Sequence, residues 1–168
     1  MKPLQVLVSD TSVLIDLDRG SLLSASFHLP YKFAVPDLLY RQELKNWSGE
    51  RLIELGLSVE ALDGNGVNRA LVYRQQVPAL SLPDCFALAL AQTRSWVLLS
   101  GDSGLRQLAA NEGVACHGVL WLLDEMRAAA VVSIRELHDS LTTIAAHPRC
   151  RLPRPEIRHR LASYARHL

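Results

Sequence analysis

Four acidic residues from separate parts of the chain could together build a metal site. They are Asp10, Glu43, Asp84 and Asp102. Clustered carboxylates without bases between them repel one another, which disfavours the empty site or raises their pKa values. A hard divalent cation relieves that repulsion, because Mg²⁺ and Mn²⁺ prefer oxygen ligands and retain water molecules. Since one or two such ions can activate water and stabilise charge on a phosphodiester, the set predicts metal-dependent phosphodiester hydrolysis.

The surrounding sequence indicates how these four side chains could meet. Asp10 follows the apolar run QVLVS, and Asp102 comes soon after WVLLS, so both lie at the ends of predicted buried strands. In an open parallel sheet the ligand crevice lies beyond the carboxyl ends of the strands. Asp84 lies in the first turn of the most apolar predicted helix, where an ionised side chain needs a partner. Glu43 lies two turns into an amphipathic helix that begins just after a strand.

Helix capping is an alternative explanation for three of these acids. Asp10 is followed by Thr11 and Ser12, and all three residue types accept hydrogen bonds at a helix start. We expect the two hydroxyls to be the capping groups, with Ser12 also a candidate to support a metal ligand. Asp84 forms a Ser-x-x-Asp capping pattern with Ser81. Asp102 could cap the helix that follows it.

Further alternatives concern three single residues. Glu43 could be an ordinary exposed glutamate. For Asp16 the sequence favours a solvated helix face over a ligand role. Arg106, one helical turn after Asp102, could contact a phosphate or pair with a carboxylate, and we favour the ion pair.

The order of predicted elements indicates an α/β fold with a mostly parallel sheet covered by helices on both faces. The predicted strands lie at 4–9, 32–35, 57–62, 96–100 and in VACHG, with helices between them. Asp37 is a predicted cap of the helix after the second strand. The segment DGNG at 63–66 is predicted to be a turn, and Pro83 marks the start of the buried helix at 81–92.

Size, charge and cysteine content define the class of protein. With 168 residues, the chain has the size of one domain. From Arg127 onward it has eight arginines against three acidic residues, a formal charge of +5, which suggests a polyanion or acidic partner near the C-terminus or a solvated helix face. We predict a main domain at 1–146 and a basic helical extension at 147–168. The three scattered cysteines indicate neither a zinc site nor a disulfide framework, and without a membrane span or signal sequence we expect a cytoplasmic protein.

Four motifs in order resemble those of PIN-domain nucleases, and most closely the VapC-like toxin ribonucleases of bacterial toxin–antitoxin pairs. They are DTSVLIDL, VPDLLYRQEL, LSLPDCFALALA and VLLSGDSGLRQLA, within residues 4 to about 123. The resemblance includes a hydroxyl after the first acid, Thr11 or Ser12, and Ser100 two residues before the last. It does not reach the basic C-terminal helix.

The resemblance implies a PIN-like three-layer sandwich and a ribonuclease site. Asp10, Glu43, Asp84 and Asp102 would bind one or two Mg²⁺ or Mn²⁺ ions, with Ser12 and Ser100 as supporting polar groups. RNA would be the substrate, cut by a metal-activated water. A cognate antitoxin would be the partner, and a homodimer is expected.

Other classes fit less well or remain open. A haloacid-dehalogenase-type phosphatase has a second Asp two residues after the first, where this chain has Ser12. A Rossmann or P-loop enzyme needs a glycine-rich loop after the first strand, where this chain has DTSVL. An RNA-processing PIN nuclease that is not a toxin, and an inactive PIN-like module that binds RNA or protein, stay open.

Overall fold

A computed structural model describes residues 4–168 and shows an α/β fold around one five-stranded sheet. The strands are β1 (Gln5–Ser9), β2 (Tyr31–Pro36), β3 (Ser58–Glu60), β4 (Val97–Leu99) and β5 (Cys116–His117). Their order is β3-β2-β1-β4-β5, and all four pairings are parallel. The predicted α/β class is confirmed, and the mostly parallel sheet is parallel throughout the described chain.

Helices connect the strands and cover the sheet. In chain order they are α1 (Thr11–Arg19), α2 (Leu23–Ser26), α3 (Asp37–Leu39), a π-helical turn (Tyr40–Leu44), α4 (Lys45–Leu55), α5 (Gly64–Gln76), α6 (Leu82–Arg94), α7 (Ser103–Asn111), α8 (Val119–Ala129), α9 (Ile134–Ala146) and α10 (Arg154–Ala165). The middle strands are buried on both faces, which explains why β1 and β4 are apolar without alternation.

Helix α6 is the most buried helix and packs against β1, β2 and β4. Every residue from Ala87 to Ala91 is fully buried, so the helix is apolar on all sides. Its start follows the prediction, because the Ser81 hydroxyl accepts a hydrogen bond from the Asp84 N–H (3.2 Å) and Pro83 occupies the first turn. This anchoring places Asp84 beside the end of the sheet.

Two local predictions are wrong. The segment DGNG is not a free turn, because the Asp63 carboxylate accepts a hydrogen bond from the Gly66 N–H (2.7 Å) and α5 begins at Gly64. Asp37 is not the cap of its helix. Pro36 holds that position, and Asp37 lies in the first turn, where its carboxylate accepts a hydrogen bond from the Leu38 N–H.

The C-terminal helices pack on the rest of the fold through apolar and polar contacts. Ile157 and Tyr164 of α10 are buried in the core cluster. Arg160 donates two hydrogen bonds to the Asp124 carboxylate of α8, at 2.9 and 2.7 Å. The predicted extension at 147–168 therefore includes a helix that packs against α9 and is tied to α8 by the Arg160–Asp124 ion pair.

Two further observations bear on the class of protein. The three cysteines are free thiols, and Cys85 is buried. Within residues 4–168, we find no helix with the length and apolar character needed to cross a membrane.

Candidate active site

Two of the four acids lie where adjacent strands of the sheet end. β1 pairs with β4, and the Asp10 N–H donates a hydrogen bond to the Leu99 carbonyl (3.0 Å). After β1 the chain crosses toward β2, whereas β4 leads to β5 on the other side, so the strand order reverses here. Ligands of open α/β sheets bind at such a switch point. Asp10 and Asp102 therefore border the predicted crevice.

Asp10 is a buried carboxylate with several hydrogen bonds. Its side chain is the N-cap of α1, with Oδ1 accepting from the Val13 N–H (3.0 Å) and the Ser12 hydroxyl (2.9 Å). Burial raises the pKa of Asp10, although the Ser100 hydroxyl and these two hydrogen bonds act to lower it, and the Asp102 charge raises it further. Asp10 is 2% exposed, so its ionised form lacks the solvation that water would provide.

The hydroxyls beside Asp10 do not cap the helix, so the expectation for Thr11 and Ser12 is wrong. Ser12 donates to Asp10, as above, and Thr11 Oγ1 donates to Glu43 Oε2 at 2.9 Å. Asp10 accepts from the free N–H at the helix start and leaves both hydroxyls to bind carboxylates. The two hydroxyls thus hold two of the four acids in place.

Glu43 is half-buried and lies in the π-helical turn, so it is not an ordinary exposed glutamate. The Lys45 N–H bonds to the Tyr40 carbonyl, five residues back, which inserts one extra residue into the turn. Single π-turns inside α-helices occur frequently at functional sites. The extra residue changes the direction of the following side chains, and Glu43 reaches Thr11 across the crevice.

Asp84 lies close enough to the other three acids for their charges to raise its pKa. The pKa of Asp84 is raised to about 6, mainly by burial and then by the negative charges of Asp10, Glu43 and Asp102, against the lowering effect of the Ser81 hydroxyl. The helix cap is also formed, but Ser81 provides it through the Asp84 backbone. Capping and membership of the acidic set are therefore both true of this position.

Asp102 is the N-cap of α7 and the most exposed of the four. Its Oδ1 accepts a hydrogen bond from the Leu105 N–H (2.8 Å). Its own N–H donates to the hydroxyl of Ser100 (3.1 Å), a fully buried residue. Ser100 therefore bonds to Asp102 at the end of β4 and lies close enough to Asp10 to lower its pKa.

Arg106 does not form the expected ion pair. Its Nη1 donates a hydrogen bond to the Ser100 carbonyl at 2.9 Å. None of the ion pairs within residues 4–168 includes it. Its charge is therefore left without a carboxylate partner among these residues. It lies close to the acidic edge, by which we mean the end of the sheet beside which Asp10, Glu43, Asp84 and Asp102 lie.

The donor set fits a hard divalent cation. All four ionisable groups are carboxylates, and a cation would offset the burial and the mutual repulsion that raise the pKa values of Asp10 and Asp84. Over the described residues, no three His, Cys, Asp or Glu side chains are already arranged around one point to hold a metal. Mg²⁺ does not require three, because it is usually held by one or two carboxylates and keeps several waters.

A cavity of about 630 Å³ lies beside Asp102 and includes residues that the sequence did not connect with the site. Ser12 and Asp16 line one wall, and Arg149 and Arg151 line another. Asp16 is not on a solvated face, because its side chain is only 18% exposed and pairs with Arg19 (3.4 Å). Burial raises the pKa of Asp16. The sequence held one signal that Asp16 lies near the site. Asp16 follows Ser12 by four residues, and this spacing places both residues on the same side of α1.

Comparison with known proteins identifies one family. The sequence model of a family described as "DUF3368: PIN domain" matches residues 6–165. A PilT N-terminus domain protein from the hyperthermophilic archaeon Sulfolobus solfataricus P2 is similar in structure, at 16% sequence identity and a TM-score of 0.48, over 76% of this chain and 94% of that one. No curated protein matches the sequence.

Proposed function

The chain belongs to the PIN-domain family, whose members are generally nucleases that use divalent metal ions, and from that premise we propose that it is a metal-dependent endoribonuclease. Asp10, Glu43, Asp84 and Asp102 would hold one or two Mg²⁺ or Mn²⁺ ions, and RNA would be the substrate. The rival assignment is an inactive PIN-like module that binds RNA or protein without cutting.

The observation that carries the proposal is the electrostatic coupling of the four acids. Burial raises the pKa of Asp84 most, and the charges of the other three acids, which come from three other segments of the chain, raise it as well. A protein that used these acids only for helix caps would have no reason to bring their charges together. An uncompensated set of this kind destabilises the fold at neutral pH, so its presence favours a bound cation.

Each residue of the site has a proposed part in cleavage. A bound cation would supply activation of water and stabilisation of the charge that develops on the phosphodiester. Asp10 is oriented for binding by Ser12 and Ser100, and Glu43 is oriented by Thr11. Such supporting hydrogen bonds set the direction and basicity of a ligand. Asp84 completes the acidic set, and a bound cation would keep it ionised by offsetting the burial and neighbouring charges that raise its pKa.

Arg106 is the proposed cation for the phosphate next to the cleaved bond. Its guanidinium is held through Ser100, which also contacts Asp10 and Asp102. Because no carboxylate in the described chain neutralises it, its charge is available to a phosphate oxygen.

The test is RNA cleavage with Mg²⁺ or Mn²⁺ by the wild type and by Asp10→Asn and Asp102→Asn. Asparagine caps a helix as well as aspartate does, so each variant keeps its helix start and loses only the charge. Asp63→Asn is the matched control, because Asp63 caps α5 in the same way without belonging to the acidic set. We expect metal-dependent cleavage by the wild type and Asp63→Asn, and its loss in the other two. A wild type that cuts no RNA with either metal contradicts the proposal and favours the binding module.

We further propose that the enzyme is the toxin of a toxin–antitoxin pair, acts as a homodimer in the cytoplasm and is blocked by a cognate antitoxin. The support for this is the resemblance of the four motifs to VapC-like toxins. Expression should arrest bacterial growth, a small neighbouring gene should reverse the arrest, and Asp10→Asn should not cause it. Cleavage of RNA without growth arrest would instead indicate an RNA-processing nuclease.

A further inference from the structure

We propose that the segment Arg149–Leu152 and the two cavities that it separates form the groove that binds the phosphates of the RNA strand next to the acidic site. This inference rests on the proposed function, because it takes RNA as the ligand. It assigns a role to a part of the chain that the resemblance in the sequence does not cover.

The position of the segment is the first observation. The cavity of about 630 Å³ beside Asp102 is bordered by Arg149, Arg151 and Leu152. A second cavity, of about 600 Å³, is bordered by Arg106, Arg151 and Leu152. Gly101 and Ser103, on either side of Asp102, also line both. The two cavities therefore lie side by side along the edge that carries Asp102 and Arg106.

The burial pattern of the segment is the second observation. Arg149 and Arg151 are exposed, whereas Cys150 and Leu152 are half-buried and pack against the core. In this alternation the two apolar side chains pack on the protein, and both arginines are exposed to solvent. The segment therefore presents charge at fixed positions rather than as a random tail.

Local hydrogen bonds hold this conformation. The Cys150 N–H donates to the His147 carbonyl (3.0 Å), and the Arg149 N–H donates to His147 Nδ1 (3.1 Å). Arg154 Nη1 donates to the Ala145 carbonyl (2.9 Å), which ties the start of α10 to the end of α9. A preorganised segment loses less conformational entropy when it binds a ligand.

The charge balance is the third observation. In the part of the chain that the structure describes, neither Arg149 nor Arg151 forms an ion pair with a carboxylate. Arg106 is likewise without an ion pair, whereas Arg19 pairs with Asp16 and Arg160 with Asp124. Arginines without protein partners beside an acidic metal site suit a strand with one phosphate per nucleotide, because phosphate contacts position a nucleic acid without reading its sequence.

The experiment measures RNA binding apart from cleavage. The probe is a short fluorescein-labelled single-stranded RNA of mixed sequence. Its binding is measured by fluorescence anisotropy over a series of salt concentrations. EDTA is present to stop metal-dependent cutting. The test variant is Arg149→Gln with Arg151→Gln. The control is Arg158→Gln with Arg166→Gln, which removes the same charge from exposed positions in α10 and directly after it that border neither cavity. Thermal unfolding checks that both variants keep the fold.

We expect the test variant to bind RNA about tenfold more weakly and to lower the slope of log affinity against log salt by about 1.4, as for the loss of two phosphate contacts to a single strand. The control should bind within about twofold of the wild type. Equal losses in both variants, or no loss in the test variant, would overturn the assignment. Failure of the wild type to bind RNA would also overturn it and would favour an acidic protein segment as the occupant.

The outcome is separable from that of the proposed function. If the wild type binds RNA through Arg149 and Arg151 but cuts none with Mg²⁺ or Mn²⁺, the groove stands and the nuclease proposal fails. If the wild type cuts RNA and the test variant binds like the wild type, the nuclease proposal stands and the groove is wrong.

Discussion

The acidic edge of the sheet and the basic segment Arg149–Leu152 lie against the same cavity but are built in opposite ways. At the acidic edge, partly buried carboxylates are held by hydroxyls and backbone N–H groups while their charges repel. In the basic segment, apolar side chains provide the anchoring and the charges are exposed to water. Burial makes the acidic edge sensitive to protonation and metal, whereas the basic segment carries its charge at little cost in stability.

The comparison assigns different parts of function to the two regions. A group that must bind a cation in a fixed geometry needs support from neighbouring residues. A group that only holds a phosphate needs a charge in the right place. We therefore expect chemistry to depend on the acidic edge and substrate affinity to depend on the basic segment, and each prediction below tests that division.

The largest expected difference is between Asp102→Asn and Arg151→Gln in the kinetics of RNA cleavage. Asp102→Asn should lower kcat by more than about a hundredfold, since it removes a proposed metal ligand, which should cost more than losing a supporting group. Arg151→Gln should raise KM and leave kcat within about twofold, because it removes binding that is equal in the ground and transition states. Steady-state rates on a labelled RNA measure both. A fall in kcat alone for Arg151→Gln would contradict the division.

A smaller effect is expected from Ser100→Ala. The Ser100 hydroxyl contacts both Asp10 and the Asp102 N–H, so its loss should reduce Mn²⁺ affinity or cleavage by about 10- to 100-fold. Ser26→Ala is the matched control, because Ser26 is equally buried but bonds only to the Leu23 carbonyl. Titration with Mn²⁺ and thermal unfolding of both variants separate the two effects. Equal metal affinity in the two variants would show that Ser100 is structural only.

The pH dependence of stability should give the smallest effect. A carboxyl group whose pKa is higher in the folded state binds more protons there, so the free energy of unfolding falls as pH rises through that range. For Asp84 the range runs from its ordinary pKa of 3.8 to about 6, and solvent around the partly exposed carboxylate keeps the decrease small. Denaturant unfolding of the metal-free protein measures it.

Asp84→Asn should flatten this pH profile, because it removes the charge and keeps the Ser81 cap, which uses the Asp84 backbone. The variant should also gain less stability from Mg²⁺ than the wild type, since a ligand stabilises only the state that binds it. An unchanged pH profile together with a large loss of stability would show that Asp84 acts as a structural residue.

The sequence predicted those parts of the fold that have local signals. β1 and β4 are unbroken apolar runs, and Ser81 with Pro83 marks the start of α6, so these elements were found. The meeting of Asp10 with Asp102 followed from a general property of parallel sheets. The structure confirms that their strands are neighbours.

The remaining features depend on tertiary packing and were not predicted. Glu43 lies in the π-helical turn at Tyr40–Leu44, which contains one more residue than an α-helical turn. Nothing in the sequence YRQEL distinguishes this turn from an ordinary helix. The approach of Arg149 and Arg151 to Asp102 depends on how α8, α9 and α10 pack. The sequence separates these residues by more than forty positions, and the basic character of the C-terminal part suggested only a polyanion or acidic partner or a solvated helix face, without a place beside Asp102.

The central claim is that the four carboxylates form one metal site, and a crystal structure of the protein soaked with Mn²⁺ tests it most directly. Anomalous scattering identifies the ion without reference to activity. We expect a Mn²⁺ peak beyond the ends of β1 and β4, with Asp10 and Asp102 oxygens at about 2.1 Å from it, a distance close to that for Mg²⁺, and Asp84 or Glu43 beside it. A saturating soak that places no Mn²⁺ there, or that places it only elsewhere on the surface, would contradict the account.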